Sequence, residues 1–199
     1  MPYSPEPLVR GSHLKEDLRA LEALGTGPAA RIRASLKPDS LRAIEEATRI
    51  DYLPLAYNIE MADAVYAQAS GAGSRLWART SLLSSLGGLF QPLFEAATAL
   101  FHPAPPLFYK YIPRGWLLSY RGCGEFSVEE PSPGRTILIG NGLAPAMFCD
   151  SYLTAVCGTF EAVFSLTEFA GAANCVSRDK DRLSATWEAE WRPLTDGSR

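Results

Sequence analysis

The hydrophobic period of this sequence changes at Gly122, and that change limits the folds open to the chain. Before Gly122, apolar residues recur every three or four positions, which is the spacing of one helix face. After it, apolar and polar side chains alternate over residues 125–129, a Pro- and Gly-containing turn follows at 131–134, and residues 136–140 form a second candidate strand. This pattern predicts a β-hairpin. Helices followed by hairpins indicate the α+β class.

The helical half has well-marked boundaries. Pro38 stands at a first-turn position, residues 71–73 (Gly-Ala-Gly) interrupt the period, and Ser74 is a candidate N-cap for the helix after them. Pro113 should kink or interrupt the helix that contains it. The segment with the broadest apolar stripe is 89–101. The predicted helices before Gly122 cover residues 15–24, 38–47, 55–69, 74–86, 89–101 and 106–120, and a short helix is expected between residue 28 and Leu36.

The C-terminal part repeats the change of period. Helical spacing returns over 145–167, and residues 172–177 are a candidate strand. A charged turn follows at 178–181, and residues 183–191 alternate between apolar and polar side chains. We therefore expect long helices packed on one face of a four-stranded antiparallel sheet, following a helical N-terminal half. The predicted organisation is a flexible tail at 1–13, one α+β domain at 14–193, helical over 14–87 and α+β over 88–193, and a tail at 194–199.

Composition excludes several classes of protein. The chain of 199 residues carries 19 basic and 22 acidic side chains, a net charge of −3, which argues against a general nucleic-acid-binding protein. The apolar stretches are too short to predict a membrane span. The four cysteines form no CxxC pair and no signal peptide is evident, so we expect reduced thiols, no metal site and a cytoplasmic location.

One segment differs from the rest in charge. Residues 64–124 contain five basic side chains and one acidic one, together with ten of the 21 aromatic residues. Aromatic walls with a few cations are typical of an apolar pocket for an anionic ligand, or of a surface for an acidic partner protein. A core whose outer helices present cations to solvent gives the same composition. The candidate ligand-binding residues are Phe94, His102, Lys110, Arg114 and Trp116.

The sequence contains only two histidines, so it offers few candidates for acid–base catalysis. His13 falls in the predicted tail, so a catalytic histidine would have to be His102, at the end of the 89–101 segment. His102 is a candidate haem ligand or titrating contact, or simply a residue that suits the carboxyl end of a helix. The alternative enzyme hypothesis pairs it with Cys123 or Cys149 as a thiol nucleophile.

Two family resemblances extend this interpretation. The residues in 52–55, 77–88, 106–116, 158–162 and 186–191 resemble a myxobacterial paralogue family of unknown function. The element order over 88–191 is similar to the superfamily of haem-nitric-oxide-binding domains, vinyl-4-reductase domains and vesicle-tethering subunits. The haem branch of that superfamily carries a proximal histidine and a Tyr-x-Ser-x-Arg motif. His102 is placed suitably for the proximal histidine. Residues 120–123 are Tyr-Arg-Gly-Cys and do not supply the motif.

These resemblances imply a small-molecule sensor or a dimerising scaffold. We therefore expect a non-enzymatic ligand-sensing or protein-interaction module, a homodimer, with an apolar pocket rimmed by cations. No cofactor is expected, and haem or a fatty acyl chain is the ligand that the resemblance allows. The third hypothesis is a scaffold without a pocket, on which an acidic protein contacts Arg75, Arg79 and Arg114.

Overall fold

In a computed structural model of the chain, residues 6–86 and 104–194 are described. The N-terminal half is mostly helical, and Pro38 and Asp39 begin α3 as their sequence positions predict. Its elements are β1 (Leu8–Arg10), α1 (Gly11–Ala20), a 3-10 turn (Leu21–Leu24), α2 (Thr26–Ser35), α3 (Pro38–Glu46), β2 (Tyr52–Pro54) and α4 (Leu55–Leu86).

The expected N-terminal tail is shorter than residues 1–13. Val9 is fully buried in β1, which is the middle strand of a three-stranded sheet of order β2-β1-β3. Gly11 then begins α1 and donates a backbone hydrogen bond to the carbonyl oxygen of Asp51 at 2.8 Å. Long-range backbone pairing holds these residues, although their local sequence has no apolar period.

The break predicted at residues 71–73 is a kink inside α4. Ser70, one residue earlier, has a φ of +62° and a ψ of −176°, and helical structure continues on both sides. The Ser74 hydroxyl donates to the Ser70 carbonyl oxygen at 3.1 Å, so its predicted role as an N-cap is wrong. In the described residues, no helix combines the length and the hydropathy needed to cross a bilayer.

Proline divides the predicted helix 106–120 into two. Helix α5 covers Pro105–Tyr109 and α6 covers Ile112–Ser119, with Pro113 in the first turn of α6. Strand β3 (Tyr120–Arg121) follows directly and pairs with β1. The predicted helix 89–101 lies outside the described residues.

The C-terminal sheet confirms the predicted α+β class. Its strands are β4 (Glu125–Val128), β5 (Arg135–Asn141), β6 (Phe169–Asp179) and β7 (Ser184–Pro193), antiparallel in the order β4-β5-β7-β6. Trp187 of β7 pairs with Leu138 of β5, and both side chains are fully buried. Because side chains alternate along a strand, Glu188 points to the other face. Both predicted hairpins are confirmed.

Helix α7 (Asp150–Glu161), flanked by 3-10 turns, packs between this sheet and α4. The crossing is very close at Gly158, where a Cβ atom would lie 2.6 Å from the Cα atom of Arg75. Buried apolar residues from α1, α4, α7 and the sheet form one continuous cluster. The helical half and the sheet therefore share a core.

Candidate functional site

A buried polar cluster lies where α1 meets α4 and β3. Strand β1 aligns α1 with β3, because Val9 pairs with Tyr120. His13, in the first turn of α1, therefore reaches the Tyr120 hydroxyl, with 3.0 Å between Nε2 and the phenol oxygen. The His13 side chain is 21% exposed, whereas Tyr120 is buried.

Asp17 is the centre of this cluster. Its carboxylate accepts hydrogen bonds from Asn58 Nδ2 at 2.8 Å and Ser81 Oγ at 2.5 Å, and Nε2 of His13 lies 3.7 Å away. Trp77 donates its indole N–H to the Asp17 backbone carbonyl at 2.7 Å. The carboxylate is 4% exposed, and burial raises its pKa above the ordinary value, although the charge of His13 acts in the opposite direction. Asp17 therefore holds a proton more tightly than a surface aspartate.

Two further buried groups extend the cluster. The Tyr152 hydroxyl faces the Tyr120 hydroxyl and makes no hydrogen bond of ordinary geometry. Burial raises the pKa of both phenols well above their usual value. Burial also raises the pKa of the Cys123 thiol to about 11, although hydrogen bonds to the carbonyl oxygens of Leu8 and Arg121 oppose that shift. These groups are neutral at physiological pH.

The side chains of this cluster can bind protons, and His13 is the member that is partly exposed to solvent. No three His, Cys, Asp or Glu side chains of residues 6–86 and 104–194 group as metal ligands. Sequence reasoning missed the cluster because it placed His13 in the tail. One signal was present: Asp17 stands three residues after Leu14 and four before Leu21, on the apolar stripe of α1.

The predicted ligand-binding residues do not all meet. Phe94 and His102 lie outside the described residues, and Arg114 is exposed on α6. Lys110 lines an open depression of about 560 Å³, whose other walls include Pro106, Val128 and Glu129. The structure brings neither Arg114 nor Trp116 to this depression.

Trp116 is a packing residue. Its ring stacks on Tyr120 with 4.0 Å between centroids and meets the edge of Phe126 at 4.7 Å. Its indole N–H donates to the Gly124 carbonyl oxygen at 3.0 Å. Trp116 therefore joins α6 to the sheet.

Arg75, predicted to contact an acidic partner protein, is engaged within the fold. Its guanidinium is paired with Glu161 of α7, and it donates to the Ala173 carbonyl oxygen at 2.7 Å and to Asn174 Oδ1 at 2.9 Å. Charge reversal at Arg75 would therefore disturb the contact of α4 with α7 and β6, and cannot test partner binding alone.

The thiols offer little to a catalytic mechanism. All four cysteines are unpaired. Burial raises the pKa of Cys157 to about 11, as it does for Cys123, so neither forms a thiolate readily. Cys149 is half-buried, and its thiol donates to the Ala146 carbonyl oxygen at 3.5 Å. The enzyme hypothesis gains no support from this arrangement.

Alkylation should distinguish these thiols. At pH 7.5 a thiol with a pKa of about 11 is on the order of 0.03% ionised. We expect iodoacetamide to leave Cys123 and Cys157 unmodified in the folded protein and to modify all four cysteines in denaturant, as counted by mass spectrometry. Faster modification of Cys123 than of free cysteine would contradict its raised pKa and revive the thiol-enzyme hypothesis.

Comparisons with known proteins identify the fold. No family model and no curated protein matches the sequence. Among solved structures, the chain is similar to an Fe(II) unliganded H-NOX protein from K. algicida, with a TM-score of 0.60 and 11% identity, over 93% of this chain and 97% of that one. It is also similar to an oxygen-binding H-NOX domain related to soluble guanylate cyclases, solved as its oxygen complex, with a TM-score of 0.60 and 10% identity over 96% and 99%.

A third similar structure is a mutant of T. tengcongensis H-NOX, with a TM-score of 0.60 and 9% identity, over 94% of this chain and 100% of that one. The likeness therefore includes the N-terminal helices as well as the C-terminal part from residue 88, where the sequence suggested it. The resemblance to a myxobacterial family of unknown function finds no matching family model.

One of the similar structures concerns haem distortion in the H-NOX family, and neither His13 nor the buried thiols of this chain suit haem as iron ligands. The one described histidine, His13, is hydrogen-bonded to Tyr120 at the Nε2 atom that would have to bind iron. The buried thiols of Cys123 and Cys157 are protonated because of their raised pKa. The chain thus has the α+β fold of the H-NOX structures over nearly all of its length. In its described core, the buried polar groups contact one another.

Proposed function

We propose that this protein is a non-enzymatic ligand-sensing domain. The observation that carries the proposal is the H-NOX fold, which extends over 93–96% of the chain in the similar structures. One of those proteins is an oxygen-binding domain in its oxygen complex. The raised pKa of the buried thiols supports a binding role over a catalytic one.

The ligand we propose is small and apolar or anionic. Lys110 supplies a cation at the described depression, next to the hydrophobic surfaces of Pro106 and Val128. His102 and Phe94 remain candidates on sequence grounds, with His102 as the proposed axial ligand if the small molecule is haem. Self-association as a homodimer remains part of this proposal.

Native mass spectrometry tests the proposal. We expect the purified protein to carry a small molecule that is released on denaturation. A hemin titration then assigns its class: a Soret band in the wild type that is lost in His102→Ala, but kept in His13→Ala, identifies haem. Absence of that band together with fatty-acid binding identifies an acyl ligand. A protein that carries no bound mass and binds neither probe contradicts ligand sensing.

A further inference from the structure

Helix α6 and Tyr111, the residue before it, expose large apolar side chains on the outer side of the helix. Tyr111, Leu117 and Leu118 are 63%, 59% and 56% exposed. The opposite side of the same helix carries Ile112 and Trp116, which pack against the core. A surface helix ordinarily has one apolar stripe and one polar face. Packing within this chain therefore does not account for the apolar side chains on the outer side of α6.

Cations surround these side chains. Arg114 lies on the same face of α6 as Tyr111, Leu117 and Leu118, since positions three, four and seven apart share a face. At the end of the helix, Arg121 is exposed, with its guanidinium 3.7 Å above the Tyr52 ring.

The Tyr52 hydroxyl donates to the Leu118 carbonyl oxygen at 3.0 Å, which places Arg121 beside the helix end. Lys110 is exposed just before α6 begins. None of Lys110, Arg114 and Arg121 forms an ion pair with another described residue.

We propose that this surface, formed by Tyr111, Arg114, Leu117 and Leu118 and named the α6 face, docks an acidic amphipathic helix of a partner protein. Apolar anchors beside unpaired cations complement a helix that carries Leu on one side and Glu or Asp along its edges. The proposal goes beyond ligand sensing and does not depend on it.

Two other occupants suit the α6 face less well. A second copy of this chain related by two-fold symmetry would bring Arg114 of each copy to the same interface, and like charges oppose that contact. An anionic bilayer is broad and flat, and near Lys110 it would meet the carboxylates of Glu129 and Glu130, which line the neighbouring depression. A narrow helix can avoid those carboxylates.

A defined peptide tests this docking. The probe is a fluorescein-labelled peptide of about 14 residues, with Leu at helical spacing and Glu elsewhere, and its scrambled isomer is the control. We expect saturable binding by fluorescence anisotropy that weakens on raising NaCl from about 0.05 to 0.3 M. Leu117→Ser with Leu118→Ser, and separately Arg114→Glu, should each weaken binding roughly tenfold or more. Val176→Ser, at a residue 52% exposed on the edge strand β6, is the matched control and should bind as the wild type does.

Several results would overturn the proposal. These are no binding of the peptide, equal binding of the scrambled isomer, or unchanged affinity in the α6 variants with circular dichroism showing intact folding. Co-sedimentation with phosphatidylcholine–phosphatidylglycerol vesicles without peptide binding would assign the α6 face to a membrane. A dimer in light scattering that becomes a monomer on Leu117→Ser with Leu118→Ser, again without peptide binding, would assign it to self-association. Whether the protein also carries a bound small molecule does not change how these outcomes are interpreted.

Discussion

Gly158→Ala should lower the free energy of unfolding by about 3 kcal/mol or more, because the added methyl group has no space. A Cβ atom at Gly158 would lie 2.6 Å from the Cα atom and 2.8 Å from the carbonyl carbon of Arg75, and closer still to its carbonyl oxygen. All three atoms belong to the backbone of α4, so no change of rotamer can relieve the overlap. Helices α4 and α7 would have to separate, and the Arg75–Glu161 pair spans that same contact.

Gly115→Ala is the matched control for this prediction. Gly115 is an exposed residue inside α6, and a Cβ atom there would have no neighbour within 4 Å. The same glycine-to-alanine change should therefore stabilise the protein by about 0.5–1 kcal/mol through helix propensity. Urea denaturation followed by circular dichroism measures both variants. A Gly158→Ala protein as stable as the wild type would show that α4 and α7 do not cross as closely as the structure places them.

The alternation of apolar and polar side chains in β7 is a signal that the sequence carries by itself. Leu138 and Trp187 occupy inward positions of their strands, so the α+β class and both hairpins could be predicted from local pattern. The close approach at Gly158 could not, because the Arg75 backbone that requires a glycine is 83 positions away in the chain.

The small sheet was missed for a similar reason. Strands β1, β2 and β3 contain two or three residues each, too few for any period. Strand β1 pairs with β2 across 42 to 46 positions of the chain and with β3 across 111 to 113. Strands β2 and β3 lie on both sides of β1, and the Val9 side chain is part of the buried core. The placement of His13 in a tail followed from this omission.

The composition of residues 64–124 predicted a concentration of cations but not what each of them contacts. Arg75 pairs with Glu161 and Trp116 packs on Tyr120, and both partners come from other elements of the fold. Arg114 has no partner among the described residues and lies on an apolar helix face. Charge counted along the sequence therefore located the region, whereas contacts decide which side chains remain available for binding.

Asp17→Ala should lower the free energy of unfolding by about 3 kcal/mol at pH 7. The substitution removes the acceptor of the Asn58 and Ser81 hydrogen bonds and leaves both donors buried, at a cost of about 1–3 kcal/mol for each unsatisfied group. Asp17→Asn keeps one acceptor oxygen and the side-chain volume, so it should cost less. Denaturant unfolding of the wild type, Asp17→Asn and Asp17→Ala at one pH measures this order of stability. An Asp17→Ala protein as stable as Asp17→Asn would contradict the two hydrogen bonds.

The pH dependence of these proteins tests the charge of Asp17 separately from its hydrogen bonds. Burial raises the pKa of Asp17 in the folded state above its unfolded value of 3.8, so the folded protein binds the proton more tightly. The stability that protonation of Asp17 contributes is therefore complete below pH 3.8 and is lost as pH rises through the folded pKa. Relative to Asp17→Asn, which cannot ionise, the wild type should gain stability as pH is lowered from 7 toward 4.

His13→Ala removes the charge that opposes the rise in the pKa of Asp17, so the gain should begin at a higher pH in that variant. A constant difference between wild type and Asp17→Asn from pH 7 to pH 4 would mean that the carboxylate is solvated in the folded protein, and the polar cluster would then be open to water.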